Sequence, residues 1–294
     1  MIGRLYRFGL CVIAPITIAA AFVHVALGLA YALLTFGWIG SKWRDAAIIG
    51  WSRLLLLIIG VRLQSQGDLP SPACGRGAGG EGSQSLGSLL LINHTSWLDV
   101  FAIAAMVPAR FVSKAEIRRW PVFGWLAVVV GTLFVERGRR HAVMRANEAL
   151  AGRLRSGQLI GVFPEGTTTD ASRLLPFHAN LVQPAIDLGA QIRPVGVRFT
   201  QRGEFSRAAM YVGEMNLMQS LWRVVTAPYL AVELTWLPPL DPPPSNRHAA
   251  ARAARGAIAH ALAIPLDEHE RLAAELDPAS DDDAEPDTRS APAS

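Results

Sequence analysis

The sequence predicts an α/β protein with a mixed sheet flanked by helices and an N-terminal membrane-anchoring helix or helical hairpin. From residue 89 onward, short apolar runs alternate with stretches of helical spacing, which is typical of a sheet covered by helices. Residues 8–39 contain no Asp, Glu, Lys or Arg. Hydrophobic residues make up 51% of the chain and charged residues 18%, because a few segments are very apolar.

The apolar N-terminal run is longer than the roughly 20 helical residues that cross a bilayer. It is also too long for a signal-peptide core, and no small-residue cleavage site follows, so we expect residues 1–64 to form a retained anchor. Pro15 offers a break in the run, and a second apolar stretch covers residues 46–61. A single tilted span and a hairpin dipping into one leaflet are both compatible with this pattern, since basic residues flank both ends: Arg4, Arg7, Lys42, Arg44 and Arg53.

The remaining chain divides by composition. Residues 65–88 are rich in Gly, Ser and Pro and are expected to be a flexible insertion. Residues 89–240 carry the α/β pattern, and residues 241–274 contain a helix predicted at 247–262. Residues 275–294 hold seven acidic residues and one arginine, which predicts a disordered acidic tail. The body without this tail is strongly basic, which favours anionic lipid or an acidic substrate as a partner.

Strands and helices follow from the spacing of apolar residues. Helical spacing occurs at 97–107, 141–155 and 181–189. Strands are predicted at 88–93, 110–114, 131–137, 158–166, 192–199, 209–215 and 231–237. No nucleic-acid motif accompanies the basic residues, so nucleic acid is not expected as a partner.

The sharpest local feature runs from Asn93 to Asp99, where a buried strand leads into a helix. The ends of strands are where α/β proteins place their sites. His94 and Asp99 are five residues apart, so we expect His94 in the turn and Asp99 in the first helical turns, reaching back to the ring. A carboxylate on one imidazole nitrogen fixes the tautomer and leaves the other nitrogen to take a proton from a hydroxyl. Chance also produces this spacing, and a structural histidine is the alternative.

A protein nucleophile is not indicated. No G-x-S-x-G elbow occurs in the chain, and Cys11 and Cys74 are far from His94 in sequence. Two cysteines so placed indicate neither a metal cluster nor a disulfide framework, and no metal or cofactor is expected. Direct attack of an acceptor hydroxyl on an acyl donor is therefore the simpler mechanism.

Two further elements end strands with polar residues. Residues 163–170 place Glu165, Gly166 and three threonines in a turn where hydroxyls and backbone N–H groups meet a substrate, although an ordinary strand-ending turn has the same composition. Residues 131–137 end in Arg137, whose guanidinium suits a phosphate. For the neighbouring Arg139 and Arg140 a solvated basic surface is the preferred interpretation.

In this order the elements resemble the glycerolipid acyltransferase family. Its H-x4-D block resembles residues 94–99, its G-x-x-F-x-x-R block resembles residues 131–137, its F-P-E-G-T block matches residues 163–167, and a later V/I-P-V block resembles residues 193–195. The resemblance spans roughly residues 85–200 and makes residues 89–240 an acyltransferase catalytic domain. It implies acyl-CoA or acyl carrier protein as donor substrate and a lysolipid as acceptor.

The resemblance also assigns roles. It implies His94 as general base and Asp99 as its partner, with the acceptor bound by Arg137, Glu165, Gly166 and Thr167. The hydroxyl of Thr168, in the same polar turn, is a further candidate ligand of the acceptor. Residues 120–130 would line an acyl-chain channel, and a buried crossover helix explains this stretch equally well. Thr168 stands where many family members carry Arg, so one expected phosphate ligand is absent.

The expected activity is acylation of the sn-2 hydroxyl of 1-acylglycerol 3-phosphate to phosphatidic acid, at the cytoplasmic face of a bacterial inner membrane. Lyso-ornithine lipid or another lysophospholipid is the alternative acceptor. A catalytically silent module that binds membrane lipids is a third hypothesis, against which the intact His94, Asp99 and Glu165 count.

Overall fold

The computed structural model describes residues 2–70, 86–120, 123–136, 140–241 and 244–266. The helices within these ranges are α1 (Ile2–Thr35), α2 (Ser41–Ile58), α3 (Leu98–Ala104), α4 (Phe123–Val129), α5 (Arg140–Arg155), α6 (Gln183–Leu188), α7 (Leu217–Val225) and α8 (Arg247–Leu262). The strands are β1 (Arg62–Gln66), β2 (Ser88–Ile92), β3 (Arg110–Lys114), β4 (Leu133–Val135), β5 (Ile160–Val162), β6 (Gln191–Gln201), β7 (Glu204–Phe205) and β8 (Leu230–Trp236).

The strands form one mixed sheet in the order β1-β8-β6-β2-β5-β3-β4, with β7 paired to β6. The strands from β6 to β4 run parallel to one another, whereas β8 is antiparallel to β6. The predicted mixed sheet flanked by helices is therefore confirmed. Parallel strands bring their carboxyl ends to one edge, and the predicted site residues that the structure describes follow β2 and β5 at that edge.

Strand β2 lies in the centre of the sheet, and all five of its residues are buried. Alternate side chains of a strand point to opposite faces, so β2 contributes to two cores. Leu90 and Ile92 pack on the face covered by α2, α3 and α7. Leu89 and Leu91 pack on the other face, with α5 and α8. Burial on both faces explains why the sequence of β2 is continuously apolar.

Most predicted elements are present, and the differences have physical reasons. The strand predicted at 209–215 is wrong: this segment is an irregular loop, and the Tyr211 N–H donates to the carbonyl of Thr95 instead of to a strand. Strand β1 is an edge strand with mainly exposed polar residues, so it lacks an apolar signal, and the boundary drawn at residue 64 falls inside it. Helix α7 begins with a capping box between Asn216 and Gln219.

The N-terminal helices pack against each other. Helix α1 continues through Pro15, and its segment Gly9–Thr35 is long and apolar enough to cross a membrane. The His24 ring stacks on Trp51 of α2 with centroids 5.1 Å apart, and Trp51 Nε1 donates to the His24 carbonyl over 3.3 Å. Helix α2 is fixed to the sheet domain, since Arg53 Nε donates to the Ala105 carbonyl over 2.7 Å.

Helix α4 lies within the stretch interpreted as an acyl-channel lining or a buried crossover helix. The second interpretation is wrong, because Trp125 and Val128 of α4 are 60% and 47% exposed. Helix α4 contacts α1, the predicted anchor. The channel remains a prediction.

The C-terminal helix predicted at 247–262 coincides with α8, and Asn246 caps it by accepting from the N–H of Ala249. Residues 71–85, which are most of the predicted flexible insertion, lie outside the described residues. The acidic tail at 275–294 lies outside them as well.

Candidate active site

His94 and Asp99 meet as the sequence predicts. His94 lies in the turn after β2 and Asp99 in the first turn of α3, with His94 Nδ1 2.9 Å from Asp99 Oδ2. The Asp99 side chain is fully buried, whereas 19% of the His94 side chain is exposed. The carboxylate accepts the Nδ1 proton, so in the neutral ring Nε2 is the basic nitrogen. A partly exposed imidazole whose tautomer is fixed by a buried carboxylate is able to accept a proton from a substrate within hydrogen-bond reach.

Backbone donors hold the Asp99 carboxylate in place. Its Oδ2 accepts the N–H of Thr95 over 2.7 Å and the N–H of Ser96 over 2.9 Å, in addition to His94 Nδ1. Several N–H donors compensate an ionised carboxylate for the loss of water. The turn that carries His94 therefore supplies the hydrogen bonds that stabilise the Asp99 carboxylate. This carboxylate in turn orients the His94 ring.

Glu165, which the sequence predicts as an acceptor ligand, hydrogen-bonds to the backbone of the site. It is 4% exposed, and its Oε1 accepts the backbone N–H of His94 over 2.7 Å. Its Oε2 accepts the N–H of Leu175 over 3.2 Å. Both oxygens therefore bind the protein's own backbone, and Glu165 holds the His94 turn in place. Its role as an acceptor ligand remains a prediction.

Burial sets the protonation of Glu165. It raises the pKa of this carboxyl to about 7, and the hydrogen bonds from His94 and Leu175 only partly oppose the loss of solvent. The charge of Asp99 adds a smaller increase to the pKa.

The turn after β5 closes over the His94 backbone. Gly166 has a φ of +70°, a left-handed conformation that favours glycine, and its N–H donates to the Phe163 carbonyl. The Thr169 N–H donates to the His94 carbonyl over 2.9 Å. Thr167 is exposed beside this turn.

Thr168 forms a hydrogen bond within the protein. Its hydroxyl donates to the carbonyl of Tyr211, and the Tyr211 N–H donates to the carbonyl of Thr95. The loop at 209–215 therefore links the turn after β2 to the turn after β5. The sequence does not indicate this link, because backbone atoms of Tyr211, in an apolar stretch, take part in it.

Asn93 is a further residue to which the sequence assigned no role. It is fully buried, its Nδ2 donates to the Val197 carbonyl over 2.9 Å, and its Oδ1 accepts the Val197 N–H over 2.7 Å. The side-chain amide thus pairs with β6 as a peptide group would, beyond the last residue of β2. A polar residue directly after a continuously apolar strand, as Asn93 is here, is the sequence signal for such a pairing.

Lys114 adds positive charge to the same sheet edge. It is the last residue of β3, it is exposed, and it lies opposite Val135 of β4. Arg137, the predicted phosphate ligand, follows β4 but lies outside the described residues. Across the described ranges, no group of three His, Cys, Asp or Glu residues is arranged to hold a metal.

The pKa of Glu165 predicts a pH-dependent stability. The folded protein binds this proton more tightly than the unfolded chain, so the free energy of unfolding should fall by ~3 kcal/mol as pH rises from about 4.5 to about 7. Glu165→Gln should flatten this decrease in thermal unfolding measured from pH 4.5 to 8, whereas Glu148→Gln, at an exposed position of α5, should retain it. An equal slope in wild type and Glu165→Gln would contradict the assignment.

Comparisons with known proteins agree with this architecture. The acyltransferase family profile matches residues 78–198. A lyso-ornithine lipid O-acyltransferase of Pseudomonas aeruginosa is 36% identical over 174 residues, which are 59% of this chain and 67% of the relative. A 1-acyl-sn-glycerol-3-phosphate acyltransferase of Neisseria gonorrhoeae is 36% identical over 151 residues, which are 51% of this chain and 59% of the relative. This chain thus spans about three fifths of the Neisseria protein's length.

The fold has a solved counterpart. The crystal structure of the 1-acyl-sn-glycerophosphate acyltransferase PlsC from Thermotoga maritima aligns with a TM-score of 0.61 over 92% of this chain and 98% of that chain, at 18% identity. The sequence matches and the shared sheet architecture lead to one conclusion: this chain belongs to the acyltransferase family.

Proposed function

We propose that this acyltransferase moves an acyl chain from a thioester, acyl-CoA or acyl carrier protein, to the sn-2 hydroxyl of 1-acylglycerol 3-phosphate. The observation that carries the proposal is the 2.9 Å contact between His94 Nδ1 and a buried Asp99, with the ring partly exposed at the sheet edge. This pair supplies a base of fixed tautomer at the place where substrates meet an α/β sheet.

The base acts on the acceptor and not on a protein nucleophile. The two hydroxyls that follow His94 in the motif, those of Thr95 and Ser96, are buried. Thr95 Oγ1 donates to Asp99 Oδ1 over 3.5 Å, and Ser96 Oγ accepts the N–H of Leu98. Cys11, the free cysteine of the described chain, lies in α1. None of these three groups is placed to form an acyl-enzyme next to His94, which supports direct transfer.

In this mechanism Nε2 of His94 takes the proton of the acceptor hydroxyl as its oxygen attacks the thioester carbonyl. Asp99 accepts from Nδ1 and stabilises the imidazolium that forms. Collapse of the tetrahedral intermediate breaks the carbon–sulfur bond, and the leaving thiolate takes the proton from Nε2. The products are the acylated acceptor and a free thiol, and His94 returns to its neutral state.

The phosphate of the acceptor would bind at the neighbouring strand ends. Strands at this edge are about 4.8 Å apart, and β5 alone separates β2, which precedes His94, from β3, which ends in Lys114. We assign Lys114 and Arg137 to the phosphate, with Gly166 and Thr167 of the adjacent turn beside the glycerol.

A lyso-ornithine lipid is the second candidate acceptor. Thr168 stands where the family resemblance implies a basic residue, and its hydroxyl is already bound to the Tyr211 carbonyl, which favours an acceptor without a phosphomonoester. A lyso-ornithine lipid O-acyltransferase of Rhizobium meliloti also aligns over 85% of this chain and 86% of its own length, at 27% identity. The two acceptors differ in charge, so a charge substitution separates them.

We place the enzyme at the bacterial inner membrane, with α1 as anchor and the catalytic domain on the cytoplasmic side, where the thioester donors are. The apolar segment Gly9–Thr35 and the exposed tryptophans 38 and 43 near the start of α2 support membrane contact, since tryptophan favours the lipid–water interface. Such a location brings the lysolipid acceptor to the site from the membrane.

The first test concerns the base. His94→Ala should lower acyl transfer by a factor of about 100 or more while the protein remains folded, because the acceptor hydroxyl loses its proton acceptor. His260→Ala, at an exposed position of α8, should retain activity. Turnover is measured by lipid mass spectrometry with purified protein in detergent. Near-normal turnover of His94→Ala would contradict the mechanism.

The second test concerns the acceptor. Lys114→Ala should raise KM for 1-acylglycerol 3-phosphate by about tenfold, the effect expected from losing one charge-assisted hydrogen bond. Lys42→Ala replaces the chain's other lysine, at the start of α2, and should have no effect. A wild-type preference for lyso-ornithine lipid in the same assay, with no effect of Lys114→Ala, would establish the second candidate.

A further inference from the structure

Phe163 covers one face of the His94 imidazole. The two ring centroids are 4.1 Å apart and the ring planes are inclined by 24°. The Phe163 ring also lies nearly parallel to that of Phe111, with centroids 5.9 Å apart and planes inclined by 8°. Phe111 belongs to β3 and Phe163 follows β5, so three rings from neighbouring strand regions form a stack that ends at His94.

A glycine in β5 makes room for this stack. A Cβ at Gly161 would lie 2.8 Å from Cε1 and 2.9 Å from Cδ1 of Phe111, closer than side chains pack. Phe111 is only 5% exposed and has little space to move away. The position of Phe163 is therefore determined by the core of the sheet and not by the surface turn alone.

We propose that Phe163 is a positioning residue that fixes the plane of the His94 ring and stabilises the imidazolium formed during acyl transfer. The inference rests on the proposed role of His94 as base. The hydrogen bond to Asp99 restrains Nδ1 but leaves the ring free to tilt about that contact. An aromatic ring against its face removes this freedom.

The aromatic ring also acts on charge. The face of a phenyl ring is electronegative and attracts a cation whose centre lies within about 6 Å. Among the described residues, the charged side chains that hydrogen-bond to His94 are Asp99 of α3, at Nδ1, and Glu165 of the turn after β5, at the backbone N–H. Phe163 adds attraction for the imidazolium without an acceptor atom, so it does not compete with the substrate hydroxyl for Nε2.

Phe163→Leu tests the proposal, because leucine keeps the apolar contact and removes the aromatic face. We expect kcat to fall by about tenfold, with KM for the acceptor within about twofold of wild type. A less stable imidazolium requires a lower pH to form, so the acidic limb of kcat/KM should move by about 0.5 pH units to lower pH. Phe163→Tyr should retain the wild-type limb, and so should Phe205→Leu in β7.

Pentafluorophenylalanine at position 163 provides a second test if the leucine variant does not fold. It keeps the shape of the ring, but its fluorine atoms make the face of the ring electropositive instead of electronegative. We expect thermal unfolding as in wild type and an acidic limb displaced to lower pH by more than in Phe163→Leu. A wild-type limb in the fluorinated protein, or a raised KM with unchanged kcat in Phe163→Leu, would overturn the proposal.

The acceptor in these measurements is the lysolipid that the wild-type protein acylates fastest. Wild-type protein that acylates no lysolipid would refute the proposed function itself. Wild-type turnover with an unchanged pH profile in every Phe163 variant would refute only the role of Phe163.

Discussion

The site depends on a buried negative charge surrounded by N–H groups. Asp99 is fully buried and binds two backbone N–H groups together with the His94 ring through one oxygen. A carboxylate without these donors would be costly to bury, so the turn adopts the conformation that supplies them. The same conformation directs the imidazole toward the sheet edge. The turn conformation that compensates the buried charge of Asp99 therefore also orients the His94 ring.

Residues of neighbouring elements bind the backbone at and around His94. Glu165 binds the His94 N–H from below, Thr169 binds the His94 carbonyl, and Asn93 joins the turn to β6. Glu165 and Thr169 follow β5, whereas Asn93 follows β2, and the parallel pairing of these two strands brings the residues together. A catalytic base retains its geometry best when such surrounding contacts are rigid. The carboxyl of Glu165, with a pKa near 7, is the one of these contacts whose charge changes near neutral pH.

The sequence predicted those parts of the molecule in which local pattern and tertiary structure agree. Apolar runs located β2 and β3 almost to the residue, and the stretch rich in Ala and Arg located α8. The meeting of His94 with Asp99 followed from a turn between strand and helix. It failed where contacts between distant segments decide. The apolar pattern at 209–215 resembled a strand, but its backbone binds the site turn instead.

The roles of Glu165 and Phe163 escaped the sequence for the same reason. A glutamate in a polar turn suggests a substrate ligand, yet its burial and its two backbone partners are visible only in three dimensions. The stack on His94 needs Phe111 from another strand and the space left by Gly161. Both sets of contacts join distant segments, so no single segment of the sequence indicates them.

We propose that acyl transfer in this enzyme is direct, with His94 as the base, Asp99 as its partner and no covalent acyl-enzyme. Intact-protein mass spectrometry after mixing the purified enzyme with acyl-CoA, or with acyl carrier protein, in the absence of acceptor tests it most directly. We predict an unchanged protein mass and acyl transfer only when lysolipid is added. A mass increase of one acyl group that disappears on addition of lysolipid would show a covalent acyl-enzyme and contradict direct transfer.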